Sequence, residues 1–231
     1  MPAQPEHFDL SGKRAVVYAA NTPAGQAIAN AYEEAGATVQ RVDLVPASAV
    51  ADAVEEAATS LGGIDVLVSA VDKFLAKPIG EVEPGDIGEI MMANFAASFA
   101  ATQCAVAHML TQGTGGNIVL LTHVLGERGL PNTSVYSAAQ GAVQNFIRSL
   151  AQEVAPHSIS VNGIALGWME WMTDRLDPED PEAARAVRFT MSKRAGTVDD
   201  VGPLAVWLAG SGVGFVTGQI FPVDGGLTQH L

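Results

Sequence analysis

The sequence predicts one doubly wound α/β domain built on a parallel sheet. Short unbroken apolar runs alternate with longer stretches of helical period along the 231 residues. Strands of that kind are buried on both faces, which a parallel sheet covered by helices provides. Hydrophobic residues make up 48% of the chain and charged residues 16%, enough for a sizeable core. No linker, repeat or low-complexity segment divides it, so residues 1–231 are taken as a single domain.

The elements follow in order. KRAVVYAA (13–20) reads as a buried strand. In the helix at 22–36, Thr22 caps, Pro23 suits the first position and Gly36 ends it. ATVQRVD (37–43) is a second strand, and 47–62 is a helix with Val50, Val54 and Leu61 inward. IDVLVSA (64–70) is the third strand. An apolar helix at 88–110 precedes a fourth strand, GNIVLLT (116–122). The helix at 136–155 carries Ala139, Val143, Ile147, Leu150 and Val154 on one stripe. SISVNGIAL (158–166) is the fifth strand, and 216–226 holds the last.

Charge excludes some partners. Twelve Lys+Arg stand against 25 Asp+Glu, a net charge of -13, which disfavours nucleic acid and anionic membrane surfaces. The single cysteine, Cys104, fits a reducing compartment, and the N-terminus lacks the pattern of a signal peptide, so a cytoplasmic protein is expected. Ile90–Ala107 carries no charge and has the length of a membrane span. Asn94, Ser98 and Thr102 recur on one stripe of it, however, and the expectation is a helix buried on most sides. The five histidines show no metal-ligand spacing, so no metal is expected.

The order of landmarks resembles the short-chain dehydrogenase/reductase superfamily over nearly the whole chain. IDVLVSA is similar to the family's strand ending in Asn-Asn-Ala-Gly, and NIVLLTH to the strand ending at its catalytic serine. VNGIALGW is similar to Val-Asn-x-Ile-x-Pro-Gly; KRAGTVDDVGPLAVWLA and TGQIFPVDGG match the C-terminal third. The resemblance implies a Rossmann-like sheet. Only one helix fits between Asp43 and Ile64, so the family's third, edge strand and one helix are expected to be missing. Six strands then remain, ordered 2-1-4-5-6-7 in family labels.

The resemblance also implies a site. Tyr136 matches the tyrosine that relays a proton while a nicotinamide carries hydride, and Asn94 falls at the family's catalytic asparagine. Gln140 stands where a lysine lowers the tyrosine pKa and holds the ribose, and His123 stands at the serine position. A neutral amide favours phenolate far less than a cation does. Imidazole titrates near neutrality, which makes His123 a candidate acid or base. The other possibility is that His123 and Tyr136 are inherited side chains packed in an old cleft.

The nucleotide loop departs further. Against Thr-Gly-x-x-x-Gly-x-Gly stands Tyr18-Ala19-Ala20-Asn21-Thr22-Pro23-Ala24-Gly25, in which only Gly25 is kept. Pro23 puts a ring and no N–H where a phosphate approaches the helix start. Asp43 sits where NAD-preferring members bind the ribose hydroxyls, or is ordinary strand-end turn chemistry. In the segment 167–184, at the family's substrate-lid position, Trp168, Met169, Trp171 and Met172 could line an apolar pocket or pack on a partner.

The expectation is therefore a chain that binds no NAD(P), with Gly25 and Asp43 as vestiges of the site. It would be a non-catalytic subunit assembling with an active paralogue through the helices at 88–110 and 136–155. Two alternatives stay open. One is a cofactor-independent enzyme using Tyr136 and His123, resembling the halohydrin dehalogenases or performing isomerase or dehydratase chemistry. The other is an NAD-dependent oxidoreductase acting on a hydroxy or oxo substrate.

Overall fold

A computed structural model describes residues 6–175 and 187–229. Six parallel strands form one sheet: β1 (Arg14–Tyr18), β2 (Thr38–Val42), β3 (Val66–Ser69), β4 (Gly116–His123), β5 (Ile159–Leu166) and β6 (Ile220–Val223), ordered β2-β1-β3-β4-β5-β6. This is the expected order. Every β3 residue is buried, as the unbroken apolar run requires. Between β2 and β3 lie only a 3-10 turn, Ala47–Ala49, and helix α2 (Val50–Leu61), so an edge strand and a helix are absent there.

Thr22 caps α1 (Pro23–Glu34), its Oγ1 accepting the Gly25 N–H at 3.1 Å. On α5 (Ser134–Val154) the stripe Ala139, Val143, Ile147, Leu150 and Val154 is buried. α6 (Gly202–Ala209) packs on α1, where the Tyr32 hydroxyl donates to the Ala205 carbonyl at 3.0 Å.

The apolar helix proves to be three segments in line: α3 (Pro84–Met91), a π-helical turn (Met92–Ala96) and α4 (Ala97–Gln112). Its polar stripe faces inward: Asn94, Ser98 and Thr102 are buried, and Ser98 Oγ lies 2.9 Å from Ser69 Oγ of β3. The expectation of burial on most sides needs correction. Only 39% of the most apolar window is buried, and Met92, Phe99 and Leu110 are exposed on the outer face. Among the described residues this is the one helix long and apolar enough to cross a membrane.

The chain leaves β1 for β2 on one side, whereas β3 pairs β1 on the other. This reversal opens a crevice at the carboxyl ends of β1 and β3, where open α/β sheets bind ligands.

Candidate active site

A cavity of about 630 Å³ fills that crevice. Thr22, Pro23 and Ala24 line it at the start of α1; Asp72, Trp171 and Arg175 line it elsewhere.

At the α1 end the turn after β1 is made without its glycine. Ala19 takes φ 61°, a left-handed conformation that costs a side-chain-bearing residue roughly 1–2 kcal/mol. Thr22 Oγ1 donates to the Ala19 carbonyl at 2.8 Å and fixes the turn to the helix cap. A Cβ on Gly25 would stand 2.2 Å from the Ala19 oxygen, so this approach of helix to turn requires glycine. Asp43 is exposed, one residue beyond β2, and is not among the residues lining the cavity. The Leu44 N–H donates to Asn21 Oδ1 at 2.9 Å and ties the two loops together.

At the other end Tyr136 is fully buried. Its hydroxyl donates to Asp72 Oδ1 at 2.5 Å, and Arg175 Nη2 donates to Asp72 Oδ2 at 2.7 Å. Phe74 meets the Tyr136 ring edge-on at 4.9 Å, and the Arg175 guanidinium lies over the Phe74 ring at 5.2 Å. Arg175 comes from a 3-10 helix, Glu170–Arg175, that follows β5. Burial, then the Asp72 charge, raises the Tyr136 pKa well above that of a free phenol; Arg175 opposes the rise.

Gln140 lies inside this network. Thr122 Oγ1 donates to Gln140 Oε1 at 2.9 Å, and Gln140 Nε2 reaches Asn94 Oδ1 at 3.4 Å and Asp72 Oδ1 at 3.5 Å. The π turn aims Asn94 inward, where Oδ1 accepts the Lys73 N–H at 2.8 Å and Nδ2 donates to the Lys73 carbonyl at 2.9 Å. Asn94 therefore holds the backbone beside Asp72.

His123 is brought to Tyr136, with ring centroids 5.6 Å apart. Burial pushes its pKa down to about 4, so the ring is neutral at pH 7. Its Nδ1 accepts the Leu125 N–H at 3.1 Å. It caps the turn after β4 and packs on the tyrosine.

Asp72 and Arg175 were missed by sequence reasoning. A charged residue just beyond the end of a fully buried strand was a signal for Asp72, because ligand crevices lie there. Of the lid residues, Trp171 lines the cavity while Met169 and Met172 are buried; positions 176–184 of the lid segment lie outside the described residues. The reading of no metal-ligand spacing counted histidines alone. Glu55 of α2 and Cys104 and His108 of α4 bring ligand atoms within 4.8 Å of one another, away from the cavity, with Glu55 paired to His108 at 2.8 Å.

Comparisons with known proteins bear on these features together. The family described as Enoyl-(Acyl carrier protein) reductase matches residues 5–228. Gluconate 5-dehydrogenase of Gluconobacter oxydans is 28% identical over 99% of this chain and 100% of its own length. A proposed NAD(P)-dependent gluconate 5-dehydrogenase from Beutenbergia cavernae, with NADP bound at low occupancy, superposes with a TM-score of 0.89 at 30% identity, covering 96% of this chain and 99% of that one. A gluconate 5-dehydrogenase from Burkholderia cenocepacia, in complex with NADP and tartrate, has a TM-score of 0.89 at 26% identity, covering 98% and 99%.

These relatives overturn the expectation of a non-catalytic subunit that binds no NAD(P). They align from end to end, are named as dehydrogenases, and two of them hold NADP on the same fold. In the glycine loop Ala19 makes the left-handed turn and Gly25 packs closely against it. With the six-stranded sheet, the tyrosine at its crevice and a family match across nearly its whole length, the chain belongs to the short-chain dehydrogenase/reductase superfamily.

Proposed function

We propose that this protein is an oxidoreductase that moves hydride between a nicotinamide dinucleotide and a hydroxy or oxo substrate, with Tyr136 carrying the proton. The observation that carries this reading is one continuous cavity joining the N-terminus of α1 to Asp72, the hydrogen-bond partner of Tyr136. A helix start favours the pyrophosphate, and a buried phenol at the far end can give or take a proton.

The residues present fit such a dinucleotide. The cavity lies within the roughly 300–1,000 Å³ usual for cofactor sites. The Ala24 N–H would meet the pyrophosphate at the helix start, while the N–H groups of Thr22 and Gly25 are engaged within the turn and the cap and Pro23 has none. Arg175 neutralises Asp72 and so spares a polyanionic ligand the repulsion of a bare carboxylate. Asp43 would receive the ribose hydroxyls and disfavour a 2′-phosphate, which makes NAD the preferred nucleotide. Bound there, the nicotinamide supplies or accepts the hydride. The chain's own part is to hold the substrate oxygen beside Tyr136 and to manage the proton at Tyr136 Oη, with Asp72 as its hydrogen-bond acceptor. The names of the relatives make gluconate-like hydroxy acids the first substrates to try.

The experiment is a calorimetric titration with NADH, with NADPH as control, repeated on Pro23→Gly. Saturable micromolar binding is expected, tighter for NADH. The variant should bind about tenfold more strongly through one added charge-assisted N–H contact. No binding up to millimolar nucleotide would overturn the reading. Assembly through the outer face of α4 and α5 is part of the proposal, supported by the cluster of Phe95, Phe99 and Phe146 there. Light scattering that finds a monomer would remove that part.

A further inference from the structure

We propose that Arg175 supplies the cation that Tyr136 needs, carried in by the segment after β5 and anchored by Asp72, in place of a lysine on α5. The inference rests on the hydride-transfer reading, since only a tyrosine that exchanges a proton needs such a partner.

The groups facing the Tyr136 hydroxyl come from four elements. α5 offers Gln140, neutral and already engaged with Thr122 and Asn94. β4 ends in His123, held neutral by burial. The loop after β3 brings Asp72, and the 3-10 helix Glu170–Arg175 brings Arg175. Lys73, next to Asp72 in sequence, is half exposed and pairs with Glu89. Asp72 alone works against ionisation, because a carboxylate accepting the phenol's hydrogen bond favours the neutral form. Among the described residues Arg175 is the positive charge that counters it.

Geometry gives the arginine a further task. Nη2 is spent on Asp72, whereas Nη1 is buried and has no acceptor among the described residues. A buried N–H without an acceptor is unfavourable, and a phenolate oxygen on Tyr136 would provide one. The Phe74 ring beneath the guanidinium holds it in register with the tyrosine. Arg175 comes from the 3-10 helix after β5 and is held there by Asp72.

The test is an ultraviolet titration of tyrosinate in the nucleotide-free protein, which needs neither cofactor nor substrate and stays informative if nucleotide binding fails. Only three tyrosines are present, and Tyr136→Phe identifies the one in question. In Asp72→Asn the Tyr136 transition should move down by about one pH unit or more, a tenfold rise in the ionised fraction. In Asp72→Asn/Arg175→Gln that gain should vanish, and in Asp72→Asn/Arg175→Lys most of it should remain. Equal transitions with Arg, Lys and Gln at position 175 would overturn the proposal, as would an Asp72→Asn transition no lower than that of the native protein. If the Gln variant does not fold, the Lys variant against Asp72→Asn decides: a charge-preserving change that abolishes the downward shift refutes the charge role.

Discussion

At the α1 end of the cavity the turn is set by main-chain geometry: Ala19 takes a left-handed conformation and Gly25 packs against its carbonyl. At the tyrosine end side-chain charge sets the surroundings: an amide stands on α5, and a carboxylate and a guanidinium come from two other elements. The first end is shaped by main-chain geometry, which Ala19 adopts at a cost. The second is shaped by side-chain charge brought from other elements. Motif loss therefore means different things at the two ends. Where the backbone carries the function, the substituted sequence understates what survives; where side chains carry it, the replacements must be sought elsewhere in the chain.

The largest effect should come from breaking the charge exchange. Asp72→Ala leaves the Arg175 guanidinium, only 13% exposed, without its counter-ion. Removing one partner of such a buried pair typically costs about 3–5 kcal/mol. Glu33→Ala, which breaks the exposed pair with Arg41, should cost under about 1 kcal/mol. Urea unfolding of both variants checks this. Equal, small losses would mean that the tyrosine end is no more charge-dependent than the surface.

A second prediction concerns the neutral member of that end. His123 has a folded pKa of about 4 against 6.5 for the free ring, because burial disfavours the cation. Between those values the unfolded chain binds the extra proton, so stability rises with pH there. The contribution is complete above about pH 6.5 and is lost as pH falls through about 4, roughly 3 kcal/mol over the window. His123→Asn should flatten that part of the stability–pH curve. An unchanged curve would mean that the ring takes up its proton as readily in the fold as in the unfolded chain, so that burial does not hold it neutral.

The same contrast explains what was legible in the sequence. The sheet, its order and the missing edge strand followed from local patterns: apolar runs, helical stripes and the short Asp43–Ile64 interval. Tyr136 and Asn94 were legible because each sits at a fixed place on its own helix. Asp72 and Arg175 were not, because their bonds join residues 64 and 103 positions apart and neither lies in a pattern with its partner. The lowered pKa of His123 was not legible for a related reason: it is set by burial, which the tertiary structure decides. The glycine loop was read too severely because an alanine's willingness to take a left-handed turn depends on the contacts that hold it, here Thr22 and Gly25.

The smallest effect should be at Ala19, and it sharpens the comparison most directly. Ala19→Gly relieves a left-handed conformation worth roughly 1–2 kcal/mol. It also removes a fully buried methyl group, about 0.8 kcal/mol, and adds about 0.5–1 kcal/mol of unfolded-chain entropy. These terms nearly cancel, so stability should change by less than about 1 kcal/mol. If the turn already has its working shape, the dissociation constant for NADH should also stay within about threefold. Pro23→Gly, by contrast, restores a donor and should tighten binding. Should Ala19→Gly instead tighten binding tenfold, the alanine would be obstructing the ligand. The α1 end would then be limited by a side chain, as the tyrosine end is by its charges.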